Sequence, residues 1–477
     1  MPTRLTGRAP LAGAALLALA CATNPATGSR ELMLVSESQE IAMGQQTFRA
    51  SIQNYGLVQD SALQAYVSAI GLRMAAESER PQLPWAFAVL DDPVINAFAA
   101  PGGFVMVTRG LLTHMANEAE LASVLGHEIG HVTARHTAQA LTRQQIAQVG
   151  LVGASIVKPE LGSVIQAAGQ GLGLLFMKFG RDQESQSDML GFRYMMRTRY
   201  DPREADNVFE TFSRMAAMSG GDRLPDWQST HPAPEDRVAK ARARLDTVTA
   251  DLSAFTVNRD GFLRRVDGLA FGENPRHGYF EGNRLYHPEM AFQVDFPAGW
   301  KRQNTAIAVL AAPPKGDAIL QLTTAKGTPD EAAREFFGQE GVQGEARRST
   351  VNGLQAAGGD FQAQTQDGVL SGSVVFLAHR GQTFRLAGFG TAEAIPTYRP
   401  ELRATLQSFR PVTDRAVLGK QPNRIRLQKV TAQMTVEEFH RRYPSVVPVE
   451  QVALINGLDG PATVISAGET MKRVVNR

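Results

Sequence analysis

The residues with the clearest chemical consequence are Leu125-Gly126-His127-Glu128-Ile129-Gly130-His131, an H-E-x-x-H motif. On a helix, His127 and His131 lie one turn apart and about 40° apart around the axis, so both imidazoles can meet one divalent ion. Such a two-histidine platform suits zinc, one ion per chain. Glu128 stands beside this stripe on an otherwise apolar stretch. That is a costly place for a carboxylate unless a cation or a bound water needs it, and the position fits a general base. The chemistry these residues would support is metal-assisted hydrolysis.

A third ligand should exist, and the composition limits what it is. The chain has one cysteine, Cys21, so a thiolate cage is excluded and the donors must be His, Asp or Glu. Ala134 and Thr137 stand where a long-spacing metzincin site would carry Gly and His, which removes that class. His136 falls on the opposite face of a continued helix and reads as a supporting histidine. Glu120 lies about 10 Å back along the axis from His127, too far to share its ion. The better candidate is Arg181-Asp182-Gln183-Glu184-Ser185-Gln186-Ser187-Asp188, in which Glu184 and Asp188 are one helical turn apart. Glu184 can ligate, while Asp188 accepts a hydrogen bond from a ligand imidazole and fixes its tautomer.

The elements that must position these groups are partly legible. Asn117 is placed to cap the motif helix with Glu120 at the capping-box position, and Leu121, Leu125, Ile129 and Val132 form one apolar face. Upstream, Gly102-Gly103 precedes the extended run Phe104-Val105-Met106-Val107-Thr108, expected to be an edge strand that pairs with a substrate chain. Helical patterns dominate from about Ser36 to Leu245, with a short strand region at Trp85 to Arg109.

With these residues in hand, the chain resembles the gluzincin metallopeptidases that include HtpX, the CAAX prenyl endopeptidases, BepA and LoiP. The matching stretches are Asn96-Ala97-Phe98-Ala99, Pro101-Gly102-Gly103, Val107-Thr108-Arg109-Gly110-Leu111, Asn117 to Leu121, the His127 motif, and Arg181 through Asp188. Ser187 replaces the Ala of the family's E-x-x-A-D pattern, a small-for-small change. The resemblance also covers Ser229-Thr230-His231-Pro232, followed by a helix expected to start at Pro234 and to carry Arg237. It implies that His231 is a latch on the zinc's open position or a donor to the reacting oxyanion, with Arg237 as a further candidate donor. The plain alternative for His231 is a loop residue capping the next helix, and both readings place it near solvent. The activity implied is an endopeptidase acting on unfolded or misassembled envelope proteins, that is, protein quality control.

The chain has 477 residues, 43% apolar and 20% charged, an ordinary globular mix of about three domains. Its 49 basic and 47 acidic residues leave +2, so no nucleic-acid partner is expected on charge. Arg4 and Arg8 precede an apolar run, Ala9 to Ala20, of export-signal length, followed by Cys21. Ala18-Leu19-Ala20-Cys21 resembles a lipobox, so residues 1–20 are expected to be a lipoprotein signal peptide and Cys21 a lipid attachment point. Ala22 after the cysteine favours the outer membrane, on the periplasmic side. The apolar stretches Ile146 to Val157 and Leu161 to Met177, broken by Lys158-Pro159-Glu160, read as buried helices or a flap rather than membrane spans.

The expected fold class is therefore multidomain: a mainly α zincin-like metallopeptidase domain with a short β region over residues 21–265, then two further units. Residues 266–415 read as an α+β domain of unknown role, with strands around Phe292, Ile319, Val374 and Phe384 and helices near Pro329 to Phe337 and Pro396 to Phe409. Its Phe296-Pro297-Ala298-Gly299-Trp300 segment resembles the start of PsbP-like or Mog1-like domains. Residues 424–477 read strand, helix, helix, strand and resemble a LysM module, which implies peptidoglycan as a partner. Gln433-Met434-Thr435-Val436 departs from the usual Gly-Asp-Thr-Leu. The rival to an enzyme is a non-catalytic envelope chaperone or scaffold, and intact Glu128 argues against it.

Overall fold

The structure is a computed structural model that describes residues 21–151, 172–218, 231, 237–365 and 368–476. The expected signal segment 1–20, most of the two apolar stretches after Leu151, and Pro234 lie outside the described residues. No helix among the described residues is long and apolar enough to cross a membrane.

The first domain opens with a strand pair, β1 (Cys21–Thr23) and β2 (Arg30–Leu32), and two helices, α1 (Glu37–Tyr55) and α2 (Ser61–Ala76). Ser36 closes a capping box with Gln39 on α1, and Asp60 caps α2. A three-stranded sheet follows, β3 (Ala86–Leu90), β4 (Ala97–Ala100) and β5 (Phe104–Thr108), and then α3 (Arg109–His114) and α4 (Glu118–Thr133). After α5 (His136–Leu151) come α6 (Arg181–Thr198), α7 (Glu204–Met218), α8 (Arg237–Leu245) and α9 (Arg259–Val266).

The sheet corrects the expectation for Phe104, Val105, Met106, Val107 and Thr108. They form the central strand, parallel to β3 on one side and antiparallel to β4 on the other, and all five are buried. Both of its backbone edges are taken, so it has none to offer a substrate. Four of the five residues are apolar in an unbroken run, as a strand covered on both faces requires.

The motif helix α4 is capped by Asn117, whose side chain accepts from Glu120 N at 2.9 Å. Glu120 does not complete a capping box; its Oε2 accepts from Ala116 N at 2.7 Å instead. The helix is buried on every side rather than along one face, with Ser123 alone half-buried. Small residues make that burial possible. A Cβ added at Gly191 would stand 2.9 Å from His127 N, and one at Gly130 would stand 3.1 Å from the Ser187 Cα. The backbones of α4 and α6 therefore touch, and this contact brings Glu184 and Asp188 to the two histidines. Ser187, fully buried in that contact, is tolerated because it is small.

The second domain is built on an eight-stranded antiparallel sheet whose long central strands are Leu354–Thr365, Gly368–His379 and Gln382–Thr391. Alternation sorts its two faces. Val374 and Phe376 pack with Ala332 and Ala333 of the helix Pro329–Phe337, while Val375 and Leu377 share a cluster with Leu402 and Leu406 of the helix Ile395–Leu406. A smaller four-stranded sheet borders it.

The last unit has the order strand, helix, helix, strand: Asn423–Lys429, Val436–Arg442, Val449–Ile455 and Thr470–Val475, the two strands pairing antiparallel. It is not held by its linker alone. Asn423 and Arg424 also pair with β6 (Ala270–Phe271), and Arg214 of α7 donates to Leu458 O at 2.6 Å. Lys472 is fully buried, its Nζ donating to Thr113 O at 3.1 Å and Met115 O at 2.5 Å, at the joint between α3 and α4. Burial pushes Lys472 down to about 7 and the nearby Glu120 carboxyl up to about 7.

Two predictions follow from these contacts. Gly191→Val places side-chain atoms against the backbone of His127. It should lower stability by about 1–3 kcal/mol in chemical denaturation and reduce zinc retention, and an unchanged midpoint with full zinc would refute the helix contact. For Lys472, an unfolded lysine titrates near its ordinary 10.5, so between about 7 and 10.5 the unfolded chain holds a proton that the native state lacks. Native stability relative to Lys472→Met should therefore rise with pH across that window in urea melts, and a flat difference would refute the buried amine.

Candidate metal centre

His127 and His131 come from the third turn onward of α4, Glu184 and Asp188 from the first two turns of α6, and Arg237 from the start of α8. His231 lies between α7 and α8. One donor atom from each of His127, His131, Glu184 and His231 lies within 4.8 Å of all the others, and all four residues are buried. His127 Nε2 is 3.0 Å from His131 Nε2 and 3.3 Å from His231 Nδ1. Glu184 closes the figure, with Oε1 3.1 Å from His231 Nδ1 and 3.5 Å from His131 Nε2, and Oε2 3.5 Å from His127 Nε2. Zinc–nitrogen bonds near 2.0–2.1 Å in a tetrahedron give donor-to-donor edges of about 3.3–3.4 Å. The four donors have the spacing and the chemistry of such a set.

The imidazole tautomers are fixed from behind. His127 Nδ1 is 2.9 Å from Asp188 Oδ1, a carboxylate that can only accept, so Nδ1 carries the proton and Nε2 keeps its lone pair for the metal. His136 does the equivalent for His131. Its Nε2 donates to Gln186 Oε1 at 2.7 Å, and its Nδ1, 2.9 Å from His131 Nδ1, accepts from that ring. Burial lowers His136 to about 4, so it is neutral and has a lone pair to accept with. The supporting role expected for His136 is realised by a different route: α4 ends at Thr133, Arg135 turns the chain at φ 60°, and His136 begins α5.

The electrostatics ask for a cation. Burial works against a charge on Glu184, but His231 and His127 hold its carboxyl far below the usual range. Burial pushes His127 down, yet hydrogen bonds to Asp188 and Glu184 lift it to about 9, whereas burial leaves His131 well below its ordinary value. A metal ion would take the place of the proton on His127. Glu128 is 1% exposed, its Oε1 has no hydrogen-bond partner among the described residues, and burial raises its pKa. His231 Nε2 lies 3.6 Å from that oxygen.

Two expectations are corrected here. His231 is 3% exposed rather than near solvent. Arg237 is not an available oxyanion donor: its Nε and Nη2 bond Asp188 at 2.9 and 2.5 Å, its Nη1 bonds Glu184 Oε2 at 3.3 Å, and its guanidinium lies over the Phe209 ring. It positions the two carboxylates that in turn position the metal. One neighbour was not anticipated: Phe179 stacks on the His131 ring with centroids 4.2 Å apart. Nothing in its spacing to the histidines marks it in the sequence. Cys21 opens β1, far along the chain from every residue of this cluster.

Residues 61–245 match the model of peptidase family M48. The mitochondrial metalloendopeptidase OMA1 of Arabidopsis thaliana is 37% identical over 195 residues, 40% of this chain and 38% of that protein. The beta-barrel assembly-enhancing protease of Escherichia coli (strain K12) is 32% identical over 234 residues, 47% of each chain. The chain thus spans less than half the length of these two relatives. Among solved structures, cyanobacterial PsbP from Synechocystis sp. PCC 6803 aligns over 27% of this chain and 91% of its own at a TM-score of 0.23 and 14% identity. Likeness at that level carries no argument about the second domain. Residues 61–245, which carry the His-His-Glu-His donor cluster, are thus similar to the metallopeptidases of peptidase family M48, and their donors are placed to hold a zinc ion.

Proposed function

We propose that the chain is a zinc-dependent endopeptidase of the bacterial cell envelope that hydrolyses peptide bonds in unfolded or misassembled envelope proteins. The observation that carries this reading is the buried Glu128 carboxylate, unpartnered at Oε1 among the described residues, beside a four-donor set spaced for one tetrahedral zinc. Zinc bound by His127, His131 and Glu184 supplies a polarised substrate carbonyl and a water of lowered pKa. Glu128 Oε1 accepts the proton of the attacking water and returns it to the leaving amine nitrogen, work that suits a carboxyl whose pKa burial has raised. Asp188 holds the His127 tautomer, His136 holds that of His131, and Arg237 holds Asp188 and Glu184 in place.

His231 has a second consequence. A catalytic zinc keeps one position open, and His231 is a fourth donor beside His127, His131 and Glu184, which supports reading it as a latch on that position. Its displacement admits water and substrate and leaves its ring available near the reacting oxygen. The outer strand Ala97–Ala100 replaces Phe104–Thr108 as the strand offered to an extended substrate chain, since among the described residues it pairs with β5 on one side only. Cys21 as a lipid attachment point, the periplasmic face of the outer membrane as location, and peptidoglycan as ligand of the last unit belong to the same proposal. They rest on the lipobox and LysM resemblances. The beta-barrel assembly-enhancing proteases among the relatives favour an envelope substrate.

Zinc content and casein cleavage of the wild type, Glu128→Gln and His231→Ala test the reading. Glu128→Gln should keep its zinc and lose about 100-fold or more in rate. His231→Ala should cleave faster than the wild type. Absence of zinc and of cleavage in all three would replace the enzyme by a non-catalytic chaperone or scaffold. A second check concerns support of the site: Asp188→Asn should weaken zinc affinity by about 10–100-fold in competition with a chelator, and unchanged affinity would remove Asp188 from its role.

A further inference from the structure

A cleft of about 520 Å³ lies away from the metal, where the first domain, the segment after α9 and the chain entering the last unit meet. Its size falls in the range of small-molecule sites. At its floor Asp91 is held by Arg109 Nε at 2.6 Å, Arg276 Nη2 at 2.7 Å, Asn274 Nδ2 at 2.9 Å and His277 Nε2 at 3.1 Å. Two guanidiniums thus share one carboxylate, leaving a positive charge over. Arg109 is 1% exposed, and after its Nη1 has donated to Ala270 O at 2.6 Å its Nη2 has no acceptor among the described residues. A buried donor on a charged group left without an acceptor is costly and calls for a partner.

The walls supply more charge. Arg265, Lys420 and Arg424 line the cleft together with Asp60, Asp267 and Glu289. Arg424 spends Nη1 on Gly268 O at 2.8 Å, and Arg265 lies over the Tyr66 ring. Lys420 is already paired with Glu281 Oε1 at 2.7 Å, so Arg265 and Arg424 face three carboxylates across the walls, and the pull on an oxyanion comes from Arg109 and Arg276 at the floor. Guanidiniums favour flat or tetrahedral oxyanions, which accept two parallel hydrogen bonds.

We propose that this cleft binds a small molecule through an oxyanion group, phosphate or carboxylate, seated against Arg109 with Arg276 and Arg424 beside it. The bound group would touch residues of the first domain, of the segment Asp267–Ala270 and of the approach to the last unit at once. Occupancy therefore ties the three together, and it is independent of the metal site and of any peptidase activity.

The test uses the chain from residue 21 onward, titrated calorimetrically at fixed ionic strength with inorganic phosphate and, separately, with succinate. The wild type should bind at least one of them, with a rise in thermal midpoint. Arg109→Lys keeps the charge and loses the fork, and Arg424→Gln removes a half-exposed side chain with one backbone bond. Each should weaken binding about tenfold with zinc content unchanged. Phosphate binding without succinate binding assigns a phosphorylated ligand, and the reverse assigns a carboxylate. Should Arg109→Lys fail to fold, Arg424→Gln decides alone. No binding of either anion by the wild type, or binding that the folded variants leave unchanged, overturns the site.

Discussion

Three imidazoles and a carboxylate share a volume from which water is excluded, and this is the constraint around which the first domain is arranged. Without a cation, the nitrogen lone pairs of His127, His131 and His231 would point at one another at 3.0–3.3 Å, as His127 does to each of the others. Such an arrangement is unfavourable unless a proton or a metal lies between them. Around the donors runs a ring of groups whose only task is orientation: Asp188 behind His127, His136 and Gln186 behind His131, and Arg237 across Asp188 and Glu184. Each member is buried or nearly so, so each depends on the others for its charge or its hydrogen bond. The site therefore behaves as a unit in which loss of one support misplaces a ligand without removing it.

The unit in turn depends on how closely two helices can approach. An α4 bearing side chains at positions 126 and 130, or an α6 bearing one at 191, would hold Glu184 away from the histidines. Glycine lowers intrinsic helix stability. Here that cost is offset by burial on all sides of α4 and by the cap from Asn117. The glycines inside the H-E-x-x-H motif are thus as much a part of the metal site as the residues that touch the ion.

Much of this was legible. His127, Glu128 and His131 declare themselves by spacing, Glu184 and Asp188 by being one turn apart in a polar start to an apolar helix, and the order strand, helix, helix, strand by turn residues and alternation. What was not legible depends on contacts between segments distant in the chain. Phe104 to Thr108 follows two glycines, which suggested an exposed edge, and the pairing on both sides that buries it comes from Ala86–Leu90 and Ala97–Ala100. Arg237 was read as a donor to substrate because nothing in its own neighbourhood shows that Asp188 and Glu184, about fifty residues upstream, consume its hydrogen bonds. Likewise His231, next to Pro232 in the sequence, reads as exposed until its side chain is found buried among the other donors.

The last unit illustrates the same point from the other end of the chain. A lysine near the C-terminus of a small βααβ module reads as surface, yet Lys472 is buried and its amine satisfies two carbonyls at the joint between α3 and α4. Gly457, at φ 70°, lies so close to Ala116 that a Cβ there would be 3.1 Å from the Ala116 Cβ. Glu120, in the first turn of α4, shares the same buried pocket of charge. The module therefore does not hang from the first domain as a tether would. It completes the packing at the N-terminal end of the helix that carries His127, Glu128 and His131, so whatever binds that module bears directly on the element that positions the metal.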